Sequence, residues 1–283
     1  MRFYMPLHES IRTRLNNIDD VLEHYVPSHH SPRMTPYGFR FSISRSIHHR
    51  AMLRGNFEPE EVKAVQELLG QTDVFIDVGS NIGFYTCLAR SRDKHVVAIE
   101  PLEGNLRYLY TNLSINGWKD VEVFPLGLGA KPSLQTMYTA SGTAASLVAG
   151  WGGFSKRINE TIAVSTLDTI VGDRFNKKQL FIKIDVEGFE YDVLLGARNT
   201  LETHPRPVWL IEVCLSEHHP QGFNPHFADT LELFWSKKYV IKSASDTNRV
   251  ITRADVKRWL QVGKTDVKTF NYLMMHAGRQ RSR

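Results

Sequence analysis

Five short apolar runs alternate with amphipathic stretches through the middle of the chain. Nearly continuous apolar character over so few residues is typical of strands in a parallel sheet that is covered on both faces. Alternation of such strands with helices, joined by right-handed crossovers, predicts a Rossmann-like, doubly wound α/β fold with a mostly parallel sheet. The predicted strands lie at 74–78, 95–99, 121–126, 180–186 and 207–214.

Four amphipathic helices are predicted from apolar residues at helical spacing. The first begins at Pro59, which suits the first helical position, and ends near Gly70. Asn116-Gly117 ends the second helix. The apolar faces of the four helices contain Val62, Val65, Leu68 and Leu69; Leu102, Leu106, Leu109 and Leu113; Val193, Leu194, Ala197 and Leu201; and Phe227, Leu231 and Phe234.

The two ends of the chain differ from this central pattern. Residues 1–57 contain several prolines and then Phe39, Phe41 and Ile43 at period two, which predicts an extended arm with a short strand or hairpin. The α/β domain is expected to span 58–277, followed by a basic tail at 278–283.

Two further segments are expected to form antiparallel structure. Strands near 239–244 and 269–275 have no strong helical pattern before the final one, so they predict a terminal hairpin with an antiparallel strand. The stretch 127–165 is too long for a simple connection and predicts a small hairpin.

Composition narrows the class of protein. With 283 residues, 42% apolar and 23% charged, the chain can fill a large core and is not expected to be disordered. No apolar run approaches the roughly 18 residues of a membrane span, and the N-terminus lacks the features of a secretory signal. Cys87 and Cys214 lie in apolar surroundings, so we expect core thiols in a cytoplasmic protein rather than a disulfide.

The net charge of +5 is modest but unevenly distributed. No acidic residue lies between Glu23 and Glu58, and a positive face there would attract an anionic small molecule or a phosphate-bearing surface. A merely solvated arm is the alternative. Nucleic acid is not an expected partner, because no aromatic and basic stacking motif accompanies the charge. The arginines of this window are Arg33, Arg40, Arg45, Arg50 and Arg54.

A glycine turn directly follows the first predicted strand. Gly79-Ser80-Asn81-Ile82-Gly83 leads into a helix at Phe84, and open α/β sheets bind ligands at such turns. The two glycines are expected to let a ligand approach the backbone. The spacing differs from the dinucleotide motif G-x-G-x-x-G, and Asp77 just before the turn suits a cationic amino-acid moiety and would repel a pyrophosphate. The turn therefore favours S-adenosylmethionine over a dinucleotide.

Glu100 ends the second predicted strand, where a carboxylate can accept hydrogen bonds from both hydroxyls of a ribose. Together with Asp77 and the glycine turn, it makes a more specific pattern than a glycine pair alone.

Five segments in the central part of the chain carry a family resemblance: 75–85, Glu100-Pro101, Asn105, 165–168 and 182–190. They resemble the motifs of the FkbM-type methyltransferases, in the order that family has them, and the similarity covers roughly residues 55–215. The resemblance implies a class I methyltransferase fold and methyl transfer, usually to oxygen, on small molecules such as sugars or polyketides. After the third strand the chain lacks the acid that the family often offers to the adenine amine, so backbone groups are expected to bind the adenine.

The expected cofactor contacts combine these motifs with the turn after the third strand. They are Asp77, Gly79, Ser80, Asn81, Gly83, Phe84, Tyr85, Glu100, Pro101, Asn105, Gly127 and Leu128.

Acidic residues are expected to surround the acceptor. Asp185 and Glu187 end the fourth strand and Glu212 the fifth, and methylation of a hydroxyl benefits from a base within reach of its proton. Asp185 is the first candidate, with a role in organising the turn and holding Lys183 as the alternative. Lys183 lies inside an apolar strand and must be paired, with Asp185, Glu187 or Asp77 as partners.

Other interpretations of this edge of the sheet stay open. His218 follows the fifth strand and is a further candidate base. The three acids would also suit a divalent cation, but no other motif supports one, and no metal ligand is assigned.

The leading hypothesis is an S-adenosylmethionine-dependent O-methyltransferase acting on a hydroxyl of a saccharide or a hydroxylated natural product. The alternatives are a nicotinamide-dependent oxidoreductase and a non-catalytic module that binds S-adenosylmethionine. The chain alone does not distinguish a monomer from a homo-oligomer.

Overall fold

The computed structural model describes residues 31–44, 46–139, 145–153 and 159–278. The first thirty residues of the predicted arm, Arg45 and all but the first residue of the predicted basic tail therefore lie outside the described residues.

Helices and strands alternate along the described part of the chain, as the sequence predicts. The helices are α1 Ile47–Arg54, α2 Pro59–Leu69, α3 Phe84–Arg90, α4 Glu103–Ile115, α5 Leu167–Val171, α6 Glu190–Leu195, α7 Phe227–Ser236 and α8 Arg253–Val262. The strands are β1 Arg33–Met34, β2 Arg40–Phe41, β3 Val74–Val78, β4 His95–Ile99, β5 Glu122–Phe124, β6 Gly127–Leu128, β7 Ser133–Tyr138, β8 Asn159–Ser165, β9 Leu180–Ile184, β10 Val208–Glu212, β11 Tyr239–Ser243, β12 Val250–Ile251 and β13 Asn271–His276.

The central sheet of the described residues has the order β12-β11-β13-β10-β9-β3-β4-β5. The neighbouring strands from β10 to β5 pair in parallel, whereas β13 is antiparallel to both β10 and β11. This is the predicted doubly wound α/β fold with an antiparallel terminal strand. The carboxyl ends of β3, β4, β9 and β10 lie side by side at one edge.

Buried side chains fill the space on both faces of this sheet. On one face, Phe75, Phe181 and Leu210 pack with apolar residues of α2, α3 and α4. On the other face, Ile76 and Ile182 pack with apolar residues of α5 to α8. The nearly continuous apolar character of the central strands follows from this double coverage.

The described part of the N-terminal arm packs into the first of these layers. Phe39 and Phe41 are fully buried beside Phe84 of α3. β1 and β2 form the short hairpin that the period-two pattern predicts, whereas the helix α1 was not predicted. Residues on either side of the expected boundary at 58 therefore share one core.

Asn112 connects the arm to the glycine turn. Its side-chain oxygen accepts a hydrogen bond from the Ser42 amide (2.6 Å), and its Nδ2 donates to the carbonyl oxygens of Ser42 (3.1 Å) and Ile82 (2.9 Å). A fully buried amide with these bonds satisfied fixes the arm against the turn.

The predicted terminal strands do pair, but the prediction that a simple hairpin joins them is wrong. β11 and β13 do pair antiparallel, but β12 and the helix α8 lie between them in the chain. Thr252 begins α8 with a reciprocal capping box, because its Oγ1 accepts from the Asp255 amide and the Asp255 carboxylate accepts from the Thr252 amide. The Thr-x-x-Asp spacing was the signal for this helix.

The helix predicted over 193–201 is also interrupted. α6 ends at Leu195, and a separate 3₁₀ turn covers Thr200–Glu202. A Cβ at Gly196 would lie 2.1 Å from the Gly129 carbonyl oxygen, so this glycine permits a close approach to the segment after β6. That segment belongs to a small sheet with the order β6-β8-β7, where the sequence predicts a hairpin.

Two simpler expectations concern the thiols and the membrane. Cys87 and Cys214 are buried free thiols. Within the described residues, none of the helices has the length and apolar character to span a membrane.

Candidate functional site

A cavity of about 690 Å³ opens at the carboxyl ends of the central parallel strands. Ligand sites of small-molecule enzymes have volumes of about 300–1,000 Å³. Every site residue expected from the sequence lines this cavity except Gly83. The expected cofactor and acceptor residues are therefore brought together in one place.

The two glycines of the turn are required by the protein itself. Gly79 has φ +80°, and a Cβ there would lie 1.8 Å from the Asp185 carbonyl oxygen. Gly83 has φ +88°, and its Cβ would lie 2.4 Å from Leu109 Cδ1. Packing against the end of β9 and against α4 therefore requires both glycines, and Gly79 also lines the cavity. Gly79 thereby brings the turn and Asp185 into direct contact.

Ser80 offers a free hydroxyl at the turn. Its amide donates to the Ile99 carbonyl at 3.0 Å, which fixes the backbone. Its Oγ is buried and has no hydrogen-bond partner among the described residues. A buried hydroxyl without a partner is costly unless something fills its hydrogen-bonding capacity, so Ser80 Oγ is suited to a ligand.

Glu100 connects the ends of β3 and β4. Its Oε2 accepts from the Asn81 amide (2.8 Å), and its Oε1 accepts from the Leu102 amide (3.0 Å) and from Asn105 Nδ2 (3.1 Å). Burial raises the pKa of Glu100 to about 7, although these donors favour the charged form. A carboxylate has about four acceptor positions, so roughly one remains for a ligand hydroxyl.

Asp77 is buried within β3. Its Oδ2 accepts a hydrogen bond from Thr86 Oγ1 at 2.6 Å, which ties β3 to α3. Asp77 is also the register partner of Lys183 on the neighbouring strand. Burial raises the pKa of Asp77, and the charge of Lys183 opposes that rise.

Lys183 is a buried cation among acids. Its Nζ lies 2.8 Å from Asp185 Oδ2 and 4.7 Å from the centre of the Tyr85 ring. Burial alone would lower the pKa of Lys183, but the carboxylates of Asp185, Glu58 and Asp77 outweigh it and raise the pKa. The expected pairing of Lys183 with Asp185 is therefore confirmed.

Glu187 and Glu212 lie beside Asp185 in the cavity wall. Burial, followed by the charge of Asp185, raises the pKa of both glutamates above the ordinary value. Carboxyl groups that compete in this way bind protons more readily than isolated carboxyl groups, so the cluster can both accept and donate hydrogen bonds. Within the described ranges, no group of three acidic, histidine or cysteine side chains is arranged to hold a metal ion.

Trp151, which sequence reasoning missed, lies against this acidic end. Trp151 Nε1 donates to Glu187 Oε2 at 2.6 Å, and the Trp151 ring occupies the space that a Cβ on Gly188 would need. His218 is exposed, and its ring centre lies 6.0 Å from that of Trp151. The fourth predicted strand ends at Ile184, and Glu187 has φ +55°. Strand alternation therefore does not set the direction of Glu187; its bond to Trp151 does.

Glu58 is the other residue that sequence reasoning missed. Tyr85 donates its hydroxyl to Glu58 Oε2 at 2.6 Å. Burial raises the pKa of Glu58 to about 7, and Lys183 opposes that rise. Tyr85, expected as a cofactor contact, thus touches two charged residues of the cavity wall.

Comparisons with known proteins show which family the chain resembles. The family model described as the methyltransferase FkbM domain matches residues 77–241. The hexuronic acid methyltransferase AglP of Haloferax volcanii is 30% identical over 170 residues, which is 59% of this chain and 67% of that protein.

The solved structures that match are only distantly similar to this chain. An O-methyltransferase from Bacillus cereus in complex with SAH has a TM-score of 0.43 and 11% identity, over 96% of this chain and 91% of that chain. A putative O-methyltransferase from Klebsiella pneumoniae has a TM-score of 0.40 and 12% identity, over 82% of this chain and 90% of that chain.

The family match covers more than half of the chain, from Asp77 through the glycine turn to the strands that carry Lys183 and Glu212. The expectation from the sequence motifs is therefore confirmed, and the nicotinamide-dependent oxidoreductase is set aside. The chain belongs to the FkbM family of S-adenosylmethionine-dependent methyltransferases.

Proposed function

We propose that this enzyme transfers the methyl group of S-adenosylmethionine to a hydroxyl oxygen of a saccharide. The observation that carries the proposal is the cluster of Asp185, Glu187 and Glu212 in the cavity wall, where burial and mutual repulsion raise the pKa of the two glutamates. Groups of this kind can take a proton near neutral pH.

The cofactor end of the cavity is assigned to the glycine turn and Glu100. The open acceptor position of Glu100 suits a ribose hydroxyl, and Ser80 Oγ suits another polar group of the same molecule. Asp77 acts through its charge, because Thr86 already occupies one of its oxygens. Backbone groups of Gly127 and Leu128, which also line the cavity, are assigned to the adenine.

The acceptor end supplies a base. Bound S-adenosylmethionine supplies an electrophilic methyl group. Transfer of that methyl group from sulfur to the hydroxyl oxygen would release the hydroxyl proton, and Asp185 or its neighbour Glu187 would accept it. An alcohol barely ionises at neutral pH, so a base in reach of the proton increases the rate by about 10²- to 10⁴-fold.

The same carboxyl groups favour a hydroxyl over a carboxylate as the methylated group. A carboxylate acceptor needs no base, since it is ionised already at neutral pH. It would also be repelled by the acids of the cavity wall, where Lys183 is paired with Asp185. The relative from Haloferax volcanii is named for a hexuronic acid, which supports a saccharide and leaves ether and ester formation to be distinguished.

The test is methyl transfer from labelled S-adenosylmethionine to two matched saccharides, a neutral hexoside and a hexuronoside. Alkali releases methanol from a methyl ester but leaves a methyl ether intact. We expect alkali-stable label, lost in Asp185→Asn and retained in Glu232→Gln, an exposed glutamate paired with Arg253 on the surface. Alkali-labile label on the hexuronoside alone, or no transfer to any hydroxyl, would refute the proposal.

A further inference from the structure

Glu58 holds a backbone conformation that ordinary side chains avoid. It precedes Pro59 at the start of α2 with φ 40° and ψ 57°, in the left-handed region, which favours Gly and Asn. Its side chain makes no capping hydrogen bond to the helix. Glu58 therefore does not stabilise the helix by capping its N-terminus. Backbone strain of this kind is typically retained where a functional site uses the side chain.

The carboxylate of Glu58 turns into the cavity instead. Its Oε2 accepts the hydroxyl of Tyr85 at 2.6 Å, and the ring of Tyr85 lies 4.7 Å from Lys183 Nζ. Glu58 and Asp185 are both among the charges that act on Lys183. These four side chains form one connected group in the wall of the same cavity.

One oxygen of Glu58 is open to a ligand. Tyr85 provides the side-chain hydrogen bond of Glu58 within the described residues, and that bond goes to Oε2. A carboxylate accepts at both oxygens, so Oε1 keeps its full acceptor capacity. The bond from Tyr85 fixes the orientation in which Oε1 is presented.

We propose that Glu58 binds the acceptor, with Oε1 accepting a hydrogen bond from a saccharide hydroxyl next to the one that is methylated. The inference rests on the proposed function, because a further carboxylate in the same cavity wall as Asp185 can select an acceptor that has several hydroxyls. Glu58 binds and orients the acceptor, and Asp185 or Glu187 takes the proton.

The test uses Glu58→Asn, because Asn adopts the left-handed region readily. The substitution removes the carboxylate and shortens the side chain by one methylene. We expect the KM for the saccharide to rise roughly 10- to 100-fold, as for loss of a hydrogen bond to a charged group. The Kd for S-adenosylhomocysteine, measured by calorimetry, should stay at the wild-type value. Tyr85→Phe should raise the KM less, because it frees the carboxylate without removing it.

The matched control is Glu60→Gln, which alters an exposed carboxylate in the first turn of the same helix. Its KM and kcat should match those of the wild type. A weakened Kd for S-adenosylhomocysteine with an unchanged acceptor KM in Glu58→Asn would assign Glu58 to the cofactor instead. A lowered Tm with a fall in kcat would assign it a structural role.

The two proposals fail in different ways. An active wild type with unaltered acceptor KM in Glu58→Asn overturns this inference and leaves hydroxyl methylation in place. A wild type that methylates no hydroxyl overturns both.

Discussion

Replacement of Lys183 by methionine tests the electrostatics of the cavity. Lys183 is 2% exposed, and the Asp185 carboxylate that it contacts at 2.8 Å is 23% exposed. Lys183→Met keeps most of the side-chain volume and removes the charge that compensates Asp185, Asp77 and Glu58. The variant therefore isolates the charge from the packing.

The expected cost is large for one substitution. Breaking a buried ion pair by removing one partner costs about 3–5 kcal/mol, because the other charge stays buried without compensation. Partial exposure of Asp185 and proton uptake by the neighbouring acids bring the expected value to the lower end, about 3 kcal/mol. A domain is stable by about 5–15 kcal/mol in total, so the variant should still fold.

Urea unfolding at pH 7.5 and at pH 5.5 measures this cost. The loss of stability should be smaller at pH 5.5, because the raised pKa values of Asp77 and Glu58 let these acids neutralise by binding protons. The double variant Lys183→Met/Asp185→Asn should be less destabilised than the sum of the two single variants, by about 1–3 kcal/mol. Lys237→Met is the control, since Lys237 pairs with Glu202 on the surface and should cost less than about 1 kcal/mol. A loss below about 1 kcal/mol for Lys183→Met, or strict additivity in the double variant, would refute this reasoning.

Three further predictions concern Glu100 and Asp185. Glu100→Gln places an amide NH₂ group against at least one of the N–H donors from which Glu100 now accepts a hydrogen bond. The Kd for S-adenosylhomocysteine should therefore rise about tenfold or more in calorimetry. An unchanged Kd would remove Glu100 from the cofactor site. The pKa of Glu100 is raised to about 7 in the folded protein, so the native state holds a proton that the unfolded chain has lost between about pH 4.5 and 7. Stability supplied by that proton is lost as pH rises, and the Tm deficit of Glu100→Gln relative to wild type should shrink from pH 5 to pH 8, whereas a constant or growing deficit would contradict the assignment. Asp185→Asn should lower kcat for a hydroxyl acceptor about 10²- to 10⁴-fold in a steady-state assay, while retention of more than about a tenth of the wild-type kcat would show that Asp185 is not the base.

The central sheet could be predicted from the sequence because its strands are buried on both faces. The runs at 74–78 and 95–99 match β3 and β4 residue for residue. The fourth strand was predicted to extend to residue 186, but it ends at Ile184. The chain turns there, and Glu187 has a positive φ. Apolar continuity determines where a strand lies, but a turn at its end depends on tertiary contacts.

The pairing of Lys183 could also be predicted, since a buried cation requires a partner and the candidates were few. The role of the glycines could not, because the contacts of Gly79 with Asp185 and of Gly83 with Leu109 join segments far apart in the chain.

Residues outside the family motifs were missed for a related physical reason. Glu58 turns inward only because its backbone is left-handed and Tyr85 lies opposite. Trp151 donates to Glu187 from the stretch 127–165, whose path the hydrophobic pattern does not define. α8 was missed because its exposed face is strongly polar, although Thr252 and Asp255 mark its start.

A crystal structure of the enzyme with S-adenosylhomocysteine tests the arrangement of the two ends of the cavity most directly. The expected result is a ribose hydroxyl bonded to the Glu100 carboxylate, with the sulfur directed toward Asp185 and Glu187. A ribose away from Glu100, or a sulfur atom that faces away from the acidic cluster, would contradict it.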